Sequence, residues 1–476
     1  MKISFKILVA LFVILGMTTA CEDLSEINDN PNNPTRVDPA SLFADAQLDL
    51  STLYWGRALN FEFGMLMVQH FAQNEYAEDS RYNQNVSTFN GSWNGLYSRP
   101  MMDLMEAKKL VENQREQFGD AVTDNRLAAL TIMEVFGMQA ITDLWGDVPY
   151  SEAFQVNEFP NPSYDAQSTI YADLISKLNN AINSIDENAS GFSAGDNLYG
   201  GDMAMWKKFG NSLKLRMGMR LADVESTTAS TVVSEAIASG VFESNADAAY
   251  LVFGSDQRIA NPFYIDETVN ARDDFAISLT LTDYMEASND PRLEYYAKPT
   301  PSGDIVGMPY GLTDGEAFEL KGSTSRPADA IRQATAPAKL MTYSEVLFLQ
   351  AEAVERGYVS GTAVDLFNDA ILASMEDWGV DGADAATYAA ARVAAYPSMD
   401  WEQAIGEEKW VALYTNGLEA FAEWRRLDYP QLTVPEAAVI TEIPTRALYT
   451  SDELGNNANS VPEANSLTGS VYWDVN

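Results

Sequence analysis

Residues 338–356 read AKLMTYSEVLFLQAEAVER, and residues 362–378 read TAVDLFNDAILASMEDW. Apolar residues recur in both segments at steps of three and four, which predicts two amphipathic helices. Gly357 separates them as a helix breaker. The second segment also has the small-x3-aromatic-x2-small spacing by which tetratricopeptide (TPR) helix pairs pack, at Ala363, Phe367 and Ala370. The two segments therefore predict one TPR-like helix pair.

The same periodicity recurs on both sides of this pair. Toward the N-terminus it covers residues 102–118 and a second helix that we expect to begin at Asp124 as its N-cap. Further helices are predicted over residues 164–185 and 203–221, and a last pair over residues 401–428. The sequence therefore predicts an all-α fold, a TPR-like scaffold of about four helix pairs.

Four long stretches interrupt the helical pattern. They are rich in Gly, Pro, Asn and aromatic residues, and they include short β-like runs such as Ala249–Phe253. Loops of this length in a compact helical protein are usually functional or disordered, and their aromatic residues favour an ordered layer. The stretches are residues 74–92, 186–200, 240–275 and 296–335.

The first twenty residues are predicted to be an export signal. Lys2 and Lys6 accompany the apolar run ILVALFVIL at residues 7–15, which is too short to span a bilayer. Small residues then precede Cys21, the only cysteine, as lipoprotein processing requires. We expect Cys21 to be lipidated and to anchor the mature protein to a membrane. The alternative is an ordinary secretory signal that ends near an unpaired thiol.

The rest of the chain divides into a tether and a body. Residues 21–39 are acidic, rich in Asn and Pro and without periodicity, which predicts a flexible tether. Residues 40–476 are predicted to form a single helical domain. Without residues 1–20 the chain has 28 Lys and Arg against 69 Asp and Glu, a net charge of −41. This charge repels nucleic acid, so nucleic-acid binding is excluded; solubility is its simplest explanation.

The histidine and cysteine content limits the possible chemistry. His70 is the only histidine, so neither a histidine-based triad nor a His/Cys zinc site can be assembled. Among Met67, Val68 and Phe71, His70 is expected to be a packed helix residue. No EF-hand spacing is present, although a calcium site built from Asp, Asn and carbonyl groups stays open. We expect no cofactor.

Local sequences from one end of the chain to the other resemble one family. They are Cys21–Leu24, Ile27–Asn32, Asp143–Tyr150, Trp206–Arg216, Tyr343–Ala353, Glu408–Trp410, Glu423–Arg426 and Ile443–Arg446. In this order and spacing they resemble the SusD/RagB-like outer-membrane nutrient-binding lipoproteins, particularly the SusD-like subgroup. The resemblance covers essentially the whole chain.

This resemblance carries expectations about fold, location and partners. It implies four TPR-like pairs that support an irregular ligand-facing layer. It also implies a lipid-anchored protein on the outer membrane, exposed at the cell surface, that caps a SusC-like TonB-dependent transporter. Glu22 and Asp23, directly after Cys21, resemble the surface-export signal of the family. No catalytic residue is implied.

The candidate ligand-binding residues lie in the irregular stretches. Flat aromatic rings can cover the apolar faces of sugars, and Asn, Asp and Arg side chains can bind their hydroxyl groups. These residue types occur together in loop 74–94, in the cluster that begins at Asn261, and around Tyr310. The candidates are Tyr76, Arg81, Tyr82, Asn83, Trp93, Tyr264 and Arg272.

Three features that resemble functional sites have plainer structural interpretations. Trp93 can begin the next helix and pack inward with Tyr97. The tract at residues 145–150 (WGDVPY) has a Gly and a Pro that end a helix, which favours a buried indole. The charged residues Glu419, Glu423, Arg425 and Arg426 are expected to form intrahelical ion pairs and helix packing rather than a catalytic pair.

Two classes of function stay open on the residues alone. The first is capture of an oligosaccharide, or of a peptide, without bond cleavage. The second is an α/α glycoside hydrolase or lyase, which would need two carboxyl groups about 5 to 10 Å apart in a deep cleft. A purely structural cap, without a ligand face, is a third possibility. The family resemblance favours the binding protein.

Overall fold

The computed structural model describes residues 37–462 and 465–475. Its longer helices are α1 (Pro39–Tyr54), α2 (Met102–Asn113), α3 (Asp120–Trp145), α4 (Gln167–Ser184), α5 (Met203–Arg220), α6 (Ser226–Ala238), α7 (Leu279–Ser288), α8 (Tyr343–Glu355), α9 (Ala363–Trp378), α10 (Gly382–Ala395), α11 (Trp401–Ala412) and α12 (Gly417–Leu427). Cys21 and most of the predicted tether lie outside the described residues, and α1 begins at Pro39, the last residue assigned to that tether.

Short elements fill the connections between these helices. Short α-helices are Met65–Met67, Asn90–Leu96, Arg115–Phe118, Pro262–Tyr264, Leu293–Tyr296, Asp314–Leu320 and Ser451–Asn456, and π-helices are Arg57–Gly64, Tyr97–Met101 and Ile265–Val269. The described strands form four antiparallel pairs: β1 (Phe71–Gln73) with β5 (Phe275–Ile277), β2 (Val148–Pro149) with β3 (Tyr164–Asp165), β4 (Ala249–Leu251) with β8 (Ala338–Met341), and β6 (Ala297–Lys298) with β7 (Arg326–Pro327).

From α1 to α6 and from α8 to α10, each helix packs against the next. The predominance of helices confirms the all-α prediction. The most extensive packing joins α8 and α9, the pair first indicated by the sequence. Phe367 and Ala370 are fully buried between these helices, and the ring of Phe367 lies 6.0 Å from that of Phe348 on α8. Helix α8 also contacts α5 and α11, so it connects the two halves of the scaffold.

Three predicted helix boundaries are wrong. Residues 338–341 form β8 instead of the first turn of α8, because their backbone pairs with β4 and Thr342 then caps the helix through the N–H of Glu345 (3.1 Å). Asp124 lies inside α3, which begins at Asp120 after Gly119 (φ 80°), and its side chain pairs with Arg115. The helix predicted over 102–118 is interrupted at residue 114.

Helix α3 forms the centre of the N-terminal half. Among the described residues it is the one helix long and apolar enough to cross a membrane, and it is largely buried within the protein. Trp145 at its end is fully buried and donates its indole N–H to the carbonyl of Leu448 (2.9 Å). Gly146 ends the helix with φ 80°. The structural interpretation of this tract is confirmed.

His70 is fully buried, as expected, but it follows the short helix Met65–Met67 and is not helical itself. Its ring centroid lies 4.9 Å from that of Trp410. Burial lowers the pKa of the imidazole to about 3, so the ring is neutral at physiological pH. His70 is therefore a core residue.

The charged residues of α12 form ion pairs in the interior, chiefly between helices and not only within one. Arg220 of α5 contacts Glu423 and lies 2.8 Å from Glu419. Lys409 of α11 lies 2.6 Å from Glu423, and Arg426 pairs with both Glu423 and Glu352 of α8. We call these six residues the buried ion network. It joins α5, α8, α11 and α12. The expected intrahelical pairing is present between Glu423 and Arg426, and the structure adds the pairs between helices.

Candidate functional site

The candidate site begins at the two-stranded sheet formed by β1 and β5. Gln73 is paired with Phe275, and the N–H of Asn74 donates to the carbonyl of Asp274 (2.8 Å), so the pairing extends one step beyond the strands. Tyr76 follows Gln73 by three residues, and Arg272 precedes Phe275 by three. Because the strands are antiparallel, both loops leave the sheet at the same end. The sheet therefore brings these two predicted ligand residues together.

Tyr76 and Arg272 form an exposed aromatic and cationic pair. The guanidinium carbon of Arg272 lies 5.1 Å from the ring centroid of Tyr76, which is a cation–π contact. Tyr76 is 61% exposed, and the side chain of Arg272 is 40% exposed. Tyr76 (φ 53°) and Ala271 (φ 55°) both have left-handed backbone, which costs roughly 1–2 kcal/mol for each non-glycine residue. Such strain concentrates at binding sites.

Ion pairs hold the side chain of Arg272 in place beside Tyr76. The carboxylate of Asp274, whose side chain is 2% exposed, accepts hydrogen bonds from Arg272 (Nε, 2.7 Å) and from Arg57 (Nη2, 2.6 Å). Arg57 also contacts Glu62 and Asp266. Burial alone would lower the pKa of Arg57, but these carboxylates raise it, so the guanidinium stays charged. We call Arg57, Arg272, Glu62, Asp266 and Asp274 the loop ion cluster.

The short helix Asp314–Leu320 lies beside Tyr76. Its first residue accepts a hydrogen bond from the N–H of Ala77 (2.7 Å), and Lys321, directly after it, pairs with Glu75 (2.7 Å). Phe318 on this helix is 63% exposed and is a candidate that the sequence analysis did not include. In the sequence, the capping-box spacing of Thr313 and Glu316 indicates the start of this helix, and the structure has both capping hydrogen bonds.

The other residues predicted in loop 74–94 do not share this surface equally. Tyr82 is only 1% exposed, with its ring 6.4 Å from that of Tyr310, so it offers no face to a ligand; the expectation of an exposed ring is wrong. The left-handed conformation of Tyr82 (φ 61°) ends the turn at Asp79–Arg81 and directs the side chain inward. Arg81 is half-buried and donates to the carbonyl of Ala77 (3.1 Å). Asn83 is exposed.

Tyr264 lies in the second loop, on the short helix Pro262–Tyr264, and is partly buried. Asn261 caps this helix by accepting the N–H of Phe263 (2.8 Å). Two residues after Tyr264, Asp266 enters the loop ion cluster. Tyr264 is therefore at the base of the same loop as Arg272, without the exposure of Tyr76.

Trp93 lies in a different part of the protein. It is 3% exposed on the short helix Asn90–Leu96, and its ring contacts Tyr97 (5.2 Å) and Tyr164 (6.3 Å, nearly parallel). The interpretation that Trp93 packs inward with Tyr97 is confirmed. Its edge lines a groove of about 420 Å³, together with Tyr97, Phe154, Val156, Pro162 and others.

Several carboxyl groups of the site form ion pairs, whereas Asp79 accepts a hydrogen bond from the side-chain amide of Gln73 (3.2 Å). Burial alone would raise the pKa of Asp273, but the hydrogen bond and charge of Arg326 hold it below its usual value. Burial raises the pKa of Asp79 and of Glu267 to about 7. The Glu267 carboxylate is almost inaccessible and binds Arg332 (2.9 Å). Within the described ranges, no group of three or more His, Cys, Asp and Glu residues could hold a metal ion.

Comparison with known proteins identifies the family. The sequence pattern of the SusD-like family described as "starch-binding associating with outer membrane" matches residues 31–450. The chain belongs to this SusD-like family of binding proteins, and it is associated with the outer membrane. A search of curated proteins found no match.

Solved structures of SusD homologues share the fold. A chitin-binding protein has 28% identity and a TM-score of 0.81, with 92% of this chain and 100% of that chain covered. A SusD homologue from Bacteroides ovatus has 25% identity and a TM-score of 0.77, covering 91% and 99%. A chitin-binding SusD homologue from Flavobacterium johnsoniae has a TM-score of 0.78 with 92% and 98% covered; its 23% identity shows similarity of fold alone.

Proposed function

We propose that the protein captures an oligosaccharide at the cell surface, without cleaving it, and passes it to a SusC-like TonB-dependent transporter. The observation that carries this proposal is the exposed Tyr76–Arg272 pair, which offers a ring face beside hydrogen-bond donors. Phe318 is a second exposed aromatic ring, on the short helix whose Asp314 accepts the N–H of Ala77. Membership of a starch-binding, outer-membrane-associated family supports the role.

Chitin-type oligosaccharides, β-linked N-acetylglucosamine, are the first ligands to test. The support is the chitin-binding protein at 28% identity, which aligns over 92% of this chain. Ring faces of N-acetylglucosamine can stack on Tyr76, and the acetamido carbonyl can accept from Arg272.

Calorimetry with chitohexaose, maltohexaose and cellohexaose tests the proposal on the purified protein. We expect saturable binding of at least one of them and no release of new reducing ends during prolonged incubation. Absence of binding to all three, or turnover that is abolished by mutation of a single carboxylate, would overturn the proposal. A peptide panel in the same assay tests the peptide alternative.

The membrane anchor in this proposal is the lipidated Cys21. Two or three acyl chains on one residue give stable attachment, which a single chain does not. We expect Cys21→Ser to move the protein from the membrane pellet to the soluble fraction after a carbonate wash. If the variant stays in the pellet, the lipid anchor is wrong. Protease accessibility on intact cells then tests surface exposure, and co-purification in detergent tests the transporter partner.

A further inference from the structure

We propose that Arg57 is the positioning residue of the ligand-facing layer: it holds both ends of the loop that carries Arg272 and thereby sets Arg272 over Tyr76. This inference rests on the proposed function for its ligand and on the geometry of the loop ion cluster for its mechanism. Arg57 itself is not expected to contact the ligand, because its side chain is largely buried.

Arg57 is held in place by the π-helix in which it lies. Arg57 begins the π-helix Arg57–Gly64, a rare conformation that is frequent at functional sites. Asn60 of this helix donates to the carbonyl of Thr415 (3.0 Å) and accepts the N–H of Gly417 (2.8 Å). A Cβ atom on Gly64 would lie 2.5 Å from the carbonyl carbon of Gly417, so only glycine permits this contact. The π-helix is thus fixed to the start of α12.

Arg57 binds three carboxylates, one with each guanidinium nitrogen. Nε pairs with Glu62, Nη1 with Asp266 and Nη2 with Asp274. We define the loop that carries Arg272 as residues 266–274. Asp266, in the π-helix Ile265–Val269, and Asp274, directly before β5, are its two ends. Glu62, on the same π-helix, orients the guanidinium. A planar group with donors in fixed directions can bridge two loop ends, which a lysine ammonium cannot do in the same geometry.

Asp274 connects Arg57 with the exposed Arg272. Asp274 accepts from Arg57 and from Arg272 with the same oxygen, Oδ2. The guanidinium carbon of Arg272 lies 5.1 Å from the ring centroid of Tyr76. The backbone N–H of Arg272 donates to the carbonyl of Asp266 (3.1 Å). A loop fixed at both ends before binding loses less conformational entropy when the ligand arrives. Arg57 therefore acts on affinity through Arg272, and not through contact with the ligand.

The test compares Arg57→Met and Arg57→Lys with the control Arg258→Met, which alters an exposed arginine paired with its neighbour Asp256. Hydrogen exchange followed by mass spectrometry is measured on each full chain. In Arg57→Met we expect faster exchange over residues 266–274 and unchanged exchange in the helices. Arg57→Lys should restore part of the protection, because it keeps the charge without the fork. Arg258→Met should match the unaltered protein.

Chitohexaose affinity supplies the functional readout. We expect Arg57→Met to weaken binding by about three- to tenfold, as expected when a few side chains must be ordered on binding. In an Arg272→Met background the same substitution should have no further effect, because Arg57 acts on the ligand through Arg272. A merely structural role would weaken binding equally in both backgrounds, which would overturn the proposal.

Two outcomes separate this inference from the proposed function. If the unaltered protein binds none of the oligosaccharides, the proposed function fails, and exchange of residues 266–274 alone decides the role of Arg57. Unchanged exchange in Arg57→Met would overturn it. If Arg57→Met does not fold, Asp266→Asn, which releases one end of the loop only, is measured in its place. In Asp266→Asn we expect faster exchange near residue 266 and unchanged exchange near residue 274.

Discussion

The buried ion network and the loop ion cluster are two groups of ion pairs in this protein, and they do different things. In the buried ion network, Arg220, Lys409 and Arg426 share Glu423 inside the scaffold, and these side chains are nearly inaccessible to water. In the loop ion cluster, Arg57 is largely buried while Arg272 is substantially exposed. The chemistry is the same, but the surroundings differ. A buried ion pair contributes to the stability of the fold, whereas a partly exposed ion pair can position side chains at the surface.

The difference follows from the dielectric environment. A charge without a partner inside the scaffold keeps its full desolvation cost, while a charge at the surface is rehydrated. We therefore expect substitutions in the buried ion network to change the free energy of unfolding, and substitutions in the ligand-facing layer to change affinity. Each of the following measurements tests that contrast.

Glu423→Gln should have the largest effect. It leaves Arg220, Lys409 and Arg426 without their shared carboxylate, and removal of one partner from a buried ion pair costs roughly 3–5 kcal/mol. The measurement is equilibrium unfolding in urea. The control is Glu187→Gln, which removes a solvent-exposed pair with Lys207 (2.7 Å) and should cost less than about 1 kcal/mol. Equal losses in the two variants would contradict the contrast.

Tyr82→Ala should also destabilise the protein, by about 3 kcal/mol, because it removes a buried aromatic ring and leaves a cavity. Thermal melting measures the loss. Its oligosaccharide affinity, measured well below the melting temperature, should stay close to that of the unaltered protein. A stable Tyr82→Ala protein that no longer binds would place Tyr82 on the ligand surface.

Asp79 predicts a pH dependence of stability at the edge of the ligand-facing layer. Burial, with the charge of Glu62 adding to it, raises the pKa of Asp79 from 3.8 to about 7. The folded state therefore binds the proton more tightly than the unfolded state, and stability is lost as pH rises from about 4 to 7. The loss is on the order of 2 kcal/mol.

Urea unfolding at pH 5 and at pH 7.5 measures this dependence. Asp79→Asn should flatten the decline relative to the unaltered protein, because the amide does not titrate. Asp384→Asn, at an exposed position, is the matched control for the change in net charge. Identical pH profiles for the two variants would refute the assignment to Asp79.

Tyr76→Ala should have the smallest effect on folding and a clear effect on binding. The ring is mostly exposed, so the melting temperature should hardly change, whereas loss of an aromatic anchor weakens binding by about 1–3 kcal/mol. Calorimetry and thermal melts on the same preparation check both parts. A large fall in melting temperature with unaltered affinity would show that Tyr76 is structural and that the ligand binds elsewhere.

Much of the scaffold could be predicted from local sequence, and the errors have identifiable causes. Helices with wide stripes of large apolar residues, such as α4 and α9, are found close to their predicted positions. Helices α6 and α10 were not assigned, because Ser, Thr and Ala dominate them and no such stripe is visible. The strand at 338–341 was predicted as helix, since its pairing partner is β4, almost ninety residues earlier.

The helical class and the family could be predicted from the sequence, because helical periodicity and short motifs are properties of neighbouring residues. For the tyrosines of loop 74–94 and for the ion-paired residues, burial became clear only from the folded structure. Tyr76 and Tyr82 have the same residue type in the same loop, yet one is exposed and the other is core. Glu423 and Arg272 are equally ordinary in sequence. Their roles depend on partners from distant segments, and such contacts leave no periodic signal in the chain.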